Sequence, residues 1–346
     1  MKKICILGAG SWGTAQAVVL SRNVTEVMLW GRIEDGIEDI ERERENKRFL
    51  PGVFLPHNII PSSDLEKSLY NAEMAVLAVP VQSIRSVLHQ IRPLLDKKSL
   101  LVNTAKGLEI ATGMRMSQVF MDVLGVDVKN RYTVLSGPSH AEEVGRDIPT
   151  AVTVAAYKKE SAFQVQDLFM NDNFRVYTNP DVAGVELGGA LKNIVALATG
   201  ICEGLGYGDN TKAALMTRGL AEMIRMGTAM GGDIRTFNGL SGMGDLVVTC
   251  GSRHSRNHRA GLMLAQGCGT EETLKAIGMV VEGIHTTKVV HRIAAEMKID
   301  MPICQACYRV LYENRPPGDE VAQLMKRDRK NEIEETALSI EAWQTE

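Results

Sequence analysis

Apolar residues in the first half of this chain fall into short runs separated by helical patterns and turn signals. Runs at residues 4–7, 26–30, 59–60, 74–79, 99–103, 131–135 and 151–155 read as strands. Helical periodicity fills 14–20 and 83–91, and the charged stretch 39–47 reads as a solvated helix. Pro51 and Pro56 mark a turn region, and Pro80 stops the run before it. Strands alternating with helices predict a mostly parallel sheet covered by helices, a Rossmann-type α/β domain.

Near Asp181 the character changes. The stretches GVELGGALKNIVALATGICEGLG and TKAALMTRGLAEMIRMGTAMG are helical in pattern, and shorter helical signals follow in GLMLAQG, EETLKAIG, residues 286–295 and QACYRVLYE. No strand signal of comparable strength follows. The expectation is a dinucleotide-binding domain over 1–180 and an all-α domain over 181–346, entered between Tyr177 and Val185. The many small residues of the second half fit close helix packing or backbone approach to a ligand between the domains.

Composition narrows the class. A chain of 346 residues with 45% apolar and 23% charged residues is globular and long enough for two cores. The net charge of -3, from 39 basic and 42 acidic residues, gives no global attraction to nucleic acid or an anionic membrane. No run reaches the roughly 18 consecutive apolar residues of a membrane span. The glycines near the start and the lack of a small-residue cleavage pattern argue against a secretory signal. Cysteines at 5, 202, 250, 268, 304 and 307 are too dispersed for a disulfide scaffold, so a reduced, cytoplasmic protein is expected. Cys304 and Cys307 form a CxxC without a second pair, inside a helical pattern, and read as structural.

The opening KKICILGAGSWGTA carries the most specific local signal. Its apolar run breaks into Gly8, Gly10 and Gly13, and a helix begins near Ser11 or Trp12. Glycines there permit a tight turn and close backbone approach, and the first N–H groups of the helix are placed to hold a pyrophosphate. Trp12 packs beside the cofactor or serves as a structural aromatic. After the second strand comes VMLWGRIED, in which Arg32 stands where a 2′-phosphate would be met. That favours tolerance of NADP alongside NAD; an exposed loop arginine is the alternative.

Four further segments concentrate polar residues: NTAKGLE, SGPSHAEEV, GGALKN and GMGDLVVTCGSRHSRN. Lys106 follows a central strand, where an ammonium either binds an oxyanion in the cleft or simply lies at the surface. Lys192 interrupts an apolar helix. It either snorkels or pairs, or it is a desolvated lysine with a lowered pKa suited to take an alcohol proton. Asn193 is placed to add a hydrogen bond and Asp245 to orient the ammonium. Ser255, Arg256 and Asn257 suit a phosphate, although Ser255 also has helix-cap chemistry and Arg256 also suits a solvated surface. His254 and His258 are four apart but lack the intervening glutamate of a zinc protease, and no metal is expected. His140 reads as a cleft or packing residue.

Taken in order, GAGSWGTA, NTAKGLE, SGPSHAEEV, GGALKNIVALATGICEGLGYGDNTKAAL and GLSGMGDLVVTCGSRHSRN make the chain closely similar to bacterial NAD(P)-dependent glycerol-3-phosphate dehydrogenases over essentially its whole length. The resemblance implies reversible oxidation of sn-glycerol 3-phosphate to dihydroxyacetone phosphate, with flow toward glycerol 3-phosphate for membrane phospholipid synthesis. It further implies a cytoplasmic homodimer with a small phosphorylated three-carbon substrate, no nucleic acid and no membrane insertion. On the matching positions it makes Lys192 the proton-transfer residue. Lys106, Gly137, Ser139, Asp245, Ser255, Arg256 and Asn257 fall to the substrate. Gly8, Gly10, Ser11, Trp12, Gly13, Arg32, Lys106, Ala141, Arg256, Val280 and Glu282 fall to NAD or NADP. His140 stands where many relatives place an aromatic residue. Two other readings remain open on the residues: a two-domain dehydrogenase of hydroxy or sugar acids, and a dinucleotide-binding redox sensor without turnover.

Overall fold

A computed structural model describes residues 2–329. Eight strands form one sheet: β1 (Lys3–Leu7), β2 (Glu26–Trp30), β3 (Ile59–Ser62), β4 (Met74–Leu77), β5 (Leu100–Asn103), β6 (Tyr132–Ser136), β7 (Thr150–Ala156) and β8 (Phe174–Asn179). Their order is β3-β2-β1-β4-β5-β6-β7-β8, and every pairing is parallel except that of β6 with β7. Helices α1 (Ser11–Leu20), α2 (Ile37–Glu43), α3 (Leu65–Leu69), α4 (Val81–Ile91), α5 (Met116–Leu124), α6 (Ala141–Val144) and α7 (Lys159–Phe169) connect them.

Both faces of the central strands are buried, which is why they read as unbroken apolar runs. Ile4 and Ile6 join Val27, Leu29, Met74 and Val76 in one core, while Cys5 and Leu7 face Met28, Ala75 and Leu77 in the other. The strand order reverses between β1 and β4, so the carboxyl ends of those strands open a crevice suited to a ligand.

The remainder is helical: α8 (Val182–Gly204), α9 (Asp209–Ala229), α10 (Ile234–Phe237), α11 (Asp245–Gly251), α12 (Arg256–Ala265), α13 (Thr270–Ile277), α14 (Glu282–Met297), α15 (Pro302–Tyr312) and α16 (Pro317–Met325). Helix α8 is the axis of this part. Val182 and Val185 pack into the sheet's core, whereas Leu187, Ala190, Leu191 and Ile194 lie in the helical one. It is long and apolar enough to cross a membrane, yet its apolar stretch is buried within the protein. Its contact with α12 is glycine-made, since a Cβ at Gly200 would collide with the His258 carbonyl and one at Gly261 with the Leu197 carbonyl.

Two segments differ from expectation. The charged helix is shorter than 39–47: α2 ends at Glu43, and Ile37 and Ile40 bury one side of it. Asn46 is fully buried, donating to the Ala9 carbonyl (2.9 Å) and Thr14 Oγ1 (2.8 Å), so the loop after α2 braces the glycine turn. Strand β8 was not expected. Cys304 and Cys307 lie in α15 as free, buried thiols.

Candidate active site between sheet and helices

Between β1 and α1 the chain turns at Gly8, whose φ of +120° favours glycine. A Cβ at Gly8 would stand 2.8 Å from the Ala78 carbonyl oxygen, and one at Gly13 would collide with the Gly8 carbonyl, so helix and strands meet backbone to backbone. Gly10 faces open space. It caps α1 without a side-chain bond, and no acidic residue occupies the first turn, so the N–H groups at Ser11 and Trp12 are left for an anion. Trp12 packs against the sheet core with its buried Nε1 unpartnered. These features fit the pyrophosphate of a nicotinamide dinucleotide. Arg32 follows β2, where its exposed guanidinium is held by Asp35 at 2.8 and 3.0 Å.

Lys106 leaves the carboxyl end of β5 and Lys192 stands in the middle of α8, yet both converge on one carboxylate. Lys106 Nζ donates to Asp245 Oδ2 (2.6 Å) and to the Gly137 carbonyl (2.9 Å). Lys192 Nζ donates to Asp245 Oδ1 and to Thr249 Oγ1 (2.6 Å), and Thr249 in turn donates to the Asp245 carbonyl (2.6 Å). Asp245 opens α11 directly after a π-helical turn, Leu240–Gly244, an irregularity frequent at functional sites. Gly137 and Ser139 follow β6, with Ser139 Oγ donating to the Gly137 carbonyl (3.0 Å), and Ala141 opens α6.

Burial sets the electrostatics. It pushes the Lys192 ammonium down to about 8, with Lys106 adding to the shift and Asp245 opposing it. Burial alone would raise the Asp245 carboxyl, but the two ammoniums and their hydrogen bonds hold it below its ordinary value. Two cations against one carboxylate leave surplus positive charge beside Gly137 and Thr249, an environment that favours a developing oxyanion. His140 packs beside His254, with ring centroids 5.9 Å apart, and its buried Nε2 has no partner. Burial and the Lys192 charge lower its basicity.

A second group forms around α12. Ser255 caps the helix, its Oγ accepting from His258 N (3.2 Å), and Asn257 Nδ2 donates to Asn193 Oδ1 (2.9 Å) while its Oδ1 accepts from Gly283 N (2.8 Å). Asn193 therefore bonds α12 through its oxygen and the Lys106 carbonyl (3.4 Å) through its nitrogen, rather than the Lys192 ammonium beside it. Arg256 donates to the Val280 carbonyl (3.0 Å), and burial lowers its basicity. Glu282 accepts from Val81 N (3.1 Å) at the start of α4, leaves Oε2 unpartnered, and is pushed up to about 7 by burial. Thr249 was missed in the sequence; its only signal is a hydroxyl one helical turn after Asp245 in the run LVVTC.

A dinucleotide cradle beside a buried, downshifted lysine, at the seam of a parallel-sheet domain and a helical one, defines an NAD(P)-dependent dehydrogenase. Residues 3–162 match the NAD-dependent glycerol-3-phosphate dehydrogenase N-terminus and residues 181–322 the C-terminus of the same family. The chain is 66% identical to a glycerol-3-phosphate dehydrogenase [NAD(P)+] of Syntrophomonas wolfei, covering 99% of this chain and 100% of that one. It is 54% identical to the same-named protein of Pelotomaculum thermopropionicum, over 97% of each. The crystal structure of the Coxiella burnetii glycerol-3-phosphate dehydrogenase superposes with a TM-score of 0.89 at 39% identity, covering 94% of this chain and 99% of that one. The chain belongs to the NAD-dependent glycerol-3-phosphate dehydrogenase family.

Proposed function

We propose that this chain catalyses the reversible NAD(P)-dependent interconversion of sn-glycerol 3-phosphate and dihydroxyacetone phosphate. The observation that carries the reading is the pair Lys106 and Lys192 sharing the buried Asp245 where the sheet and the helical part meet. In the oxidation direction, Lys192 takes the C2 hydroxyl proton; in reduction it returns that proton to the carbonyl oxygen. The bound nicotinamide supplies the hydride-transfer chemistry. Lys106 holds the same oxygen or the neighbouring hydroxyl, and Asp245 keeps both ammoniums aimed. Charge grows on the C2 oxygen during reduction, so the surplus cation stabilises the transition state more than the ground state.

Ser255, Arg256 and Asn257 are assigned to the phosphate, turning its binding energy into placement of C2. Gly137 and Ser139 line the substrate, Ala141 the nicotinamide end, Ser11 and Trp12 the pyrophosphate, and Val280 and Glu282 the cofactor side of α14. Arg32 gives tolerance of NADP by exchanging Asp35 for a 2′-phosphate. Residues 1–180 act as the dinucleotide domain and 181–346 as the substrate domain; residues 330–346 lie outside the described ones. The reading includes a cytoplasmic homodimer that supplies glycerol 3-phosphate for phospholipid synthesis.

The test follows absorbance at 340 nm with purified protein, NADH or NADPH, and dihydroxyacetone phosphate. Saturable oxidation of the reduced cofactor, lost with an unphosphorylated analogue, is the expected result. Tight cofactor binding without turnover would favour a redox sensor, and turnover indifferent to the phosphate would favour a hydroxy-acid enzyme.

A further inference from the structure

Lys106 and Lys192 come from different parts of the fold, so their spacing depends on how α8 is fixed against the sheet. Asp245 joins the two ammonium heads. Val182 and Val185 pack α8 against the sheet core, and Asn193 Nδ2 donates to the Lys106 carbonyl (3.4 Å), but a displacement of about 1 Å at this seam is enough to cost catalysis roughly 10²-fold. The structure contains a further, charged anchor. Glu186 lies six residues before Lys192 on α8, about 9 Å up the helix axis. It is buried between the two cores, and it collects four hydrogen bonds from the sheet domain.

The donors are not scattered. Ser117 N and Ser117 Oγ reach Glu186 at 2.7 and 2.8 Å, and Arg115 Nη1 reaches it at 2.7 Å. Arg115 and Ser117 stand at the start of α5, the far end of the loop that begins after β5 and carries Lys106. The fourth donor is Tyr132 Oη at 2.5 Å, from the first residue of β6, the strand that runs on to Gly137, whose carbonyl accepts from Lys106. One carboxylate thus ties α8 to both sheet segments that present Lys106.

We infer that Glu186 is a positioning residue for the dehydrogenase reaction, setting the distance between the Lys106 and Lys192 ammoniums through a charged anchor of α8 on the sheet domain. Its four hydrogen-bond partners are all protein groups of the sheet domain. The inference rests on the proposed role of Lys192 as the proton-transfer group. A carboxylate suits the task because each of its oxygens accepts two bonds in fixed directions, whereas an apolar contact at this seam would tolerate sliding.

The test uses the full chain with NADH and dihydroxyacetone phosphate. Glu186→Gln removes the charge that holds Arg115, and Tyr132→Phe removes one donor while leaving the ion pair. Expected are a turnover lowered about 10-fold, an NADH dissociation constant close to the parent's, and a displaced alkaline limb in the pH profile of the reduction. A purely structural role would lower the melting temperature and leave turnover and the pH limb at parent values, and that result overturns the inference. Equal losses of turnover and NADH affinity overturn it as well. If Glu186→Gln yields no folded protein, Tyr132→Phe decides on the same readouts. A parent protein inert toward dihydroxyacetone phosphate overturns the functional reading and this inference with it; an active parent with parent-like variants overturns the inference alone.

Discussion

Asn257 and Asn193 are joined side chain to side chain, the Asn257 amide nitrogen donating to the Asn193 oxygen at 2.9 Å. The bond links the first turn of α12, assigned to the phosphate, with the residue beside Lys192 on α8. Asn257 also receives Gly283 N (2.8 Å), so three helices meet at one amide. Asn257→Ala leaves the Asn193 oxygen and the Gly283 N–H short of a partner in a buried place. The expected outcome is a KM for dihydroxyacetone phosphate raised about 10-fold, the scale of one or two lost buried hydrogen bonds, with NADH affinity near the parent's. Steady-state kinetics with varied substrate checks this, and an unchanged KM would detach α12 from the phosphate.

With Lys192 in the proposed proton-transfer role, its ammonium, lowered by burial to about 8, should give the two directions opposite pH dependences. Reduction needs the protonated lysine as donor, so kcat/KM for dihydroxyacetone phosphate should fall as pH rises through about 8. Oxidation needs the neutral amine, so kcat/KM for glycerol 3-phosphate should fall as pH drops through the same value. Lys192→Ala should lose roughly 10²-fold or more in turnover and both limbs, while cofactor binding persists. Parallel pH profiles in the two directions would remove Lys192 from proton transfer.

Which parts of this site were legible beforehand follows from how local each signal is. The cradle at Gly8, Gly10 and Gly13 is written within one strand, turn and helix, and Lys192 stands out because a charge interrupts an apolar helix. The sharing of Asp245 by Lys106 and Lys192 is not local, since it appears only once β5, α8 and α11 are folded together. Strand β8 escaped notice because it lies at the sheet edge, with Phe174 and Val176 inward and Arg175 and Tyr177 outward, giving too short an alternation to read. The charged segment of α2 and the loop after it misled for another reason: their charges do face water, but Ile37 and Ile40 turn into the sheet core and Asn46 turns inward to brace the glycine turn.

On the proposed reading, cofactor choice hangs on an exchange at Arg32. Its guanidinium is already paired with Asp35, so a 2′-phosphate has to displace that carboxylate before it is bound. Arg32→Ala should raise KM for NADPH about 10-fold and leave NADH nearly unchanged. Asp35→Asn should act the other way, freeing the arginine and lowering KM for NADPH selectively. Equal shifts for both cofactors in either variant would take Arg32 out of the discrimination.

Stability should carry its own pH signature at Glu222, on α9, which accepts Ile303 N (2.6 Å) and Cys304 N (3.2 Å) from the first turn of α15. Burial raises its carboxyl from 4.5 to about 7 against the pull of those two bonds. Between these values the folded chain holds a proton that the unfolded chain has released. The contribution is therefore complete below 4.5 and is lost as pH rises through about 7. Its size is on the order of 1–3 kcal/mol, or a few degrees of melting temperature for a chain of this length. Glu222→Gln is neutral at every pH and forfeits one of the two acceptors, a pH-independent offset. Its melting temperature relative to the parent's should therefore climb from pH 5 to pH 8, whichever sign it starts with. Subtracting the two proteins also cancels Glu282, which titrates in the same range. A difference that stays flat across that window would mean Glu222 is ionised in the folded chain throughout, held as a carboxylate by the amino terminus of α15.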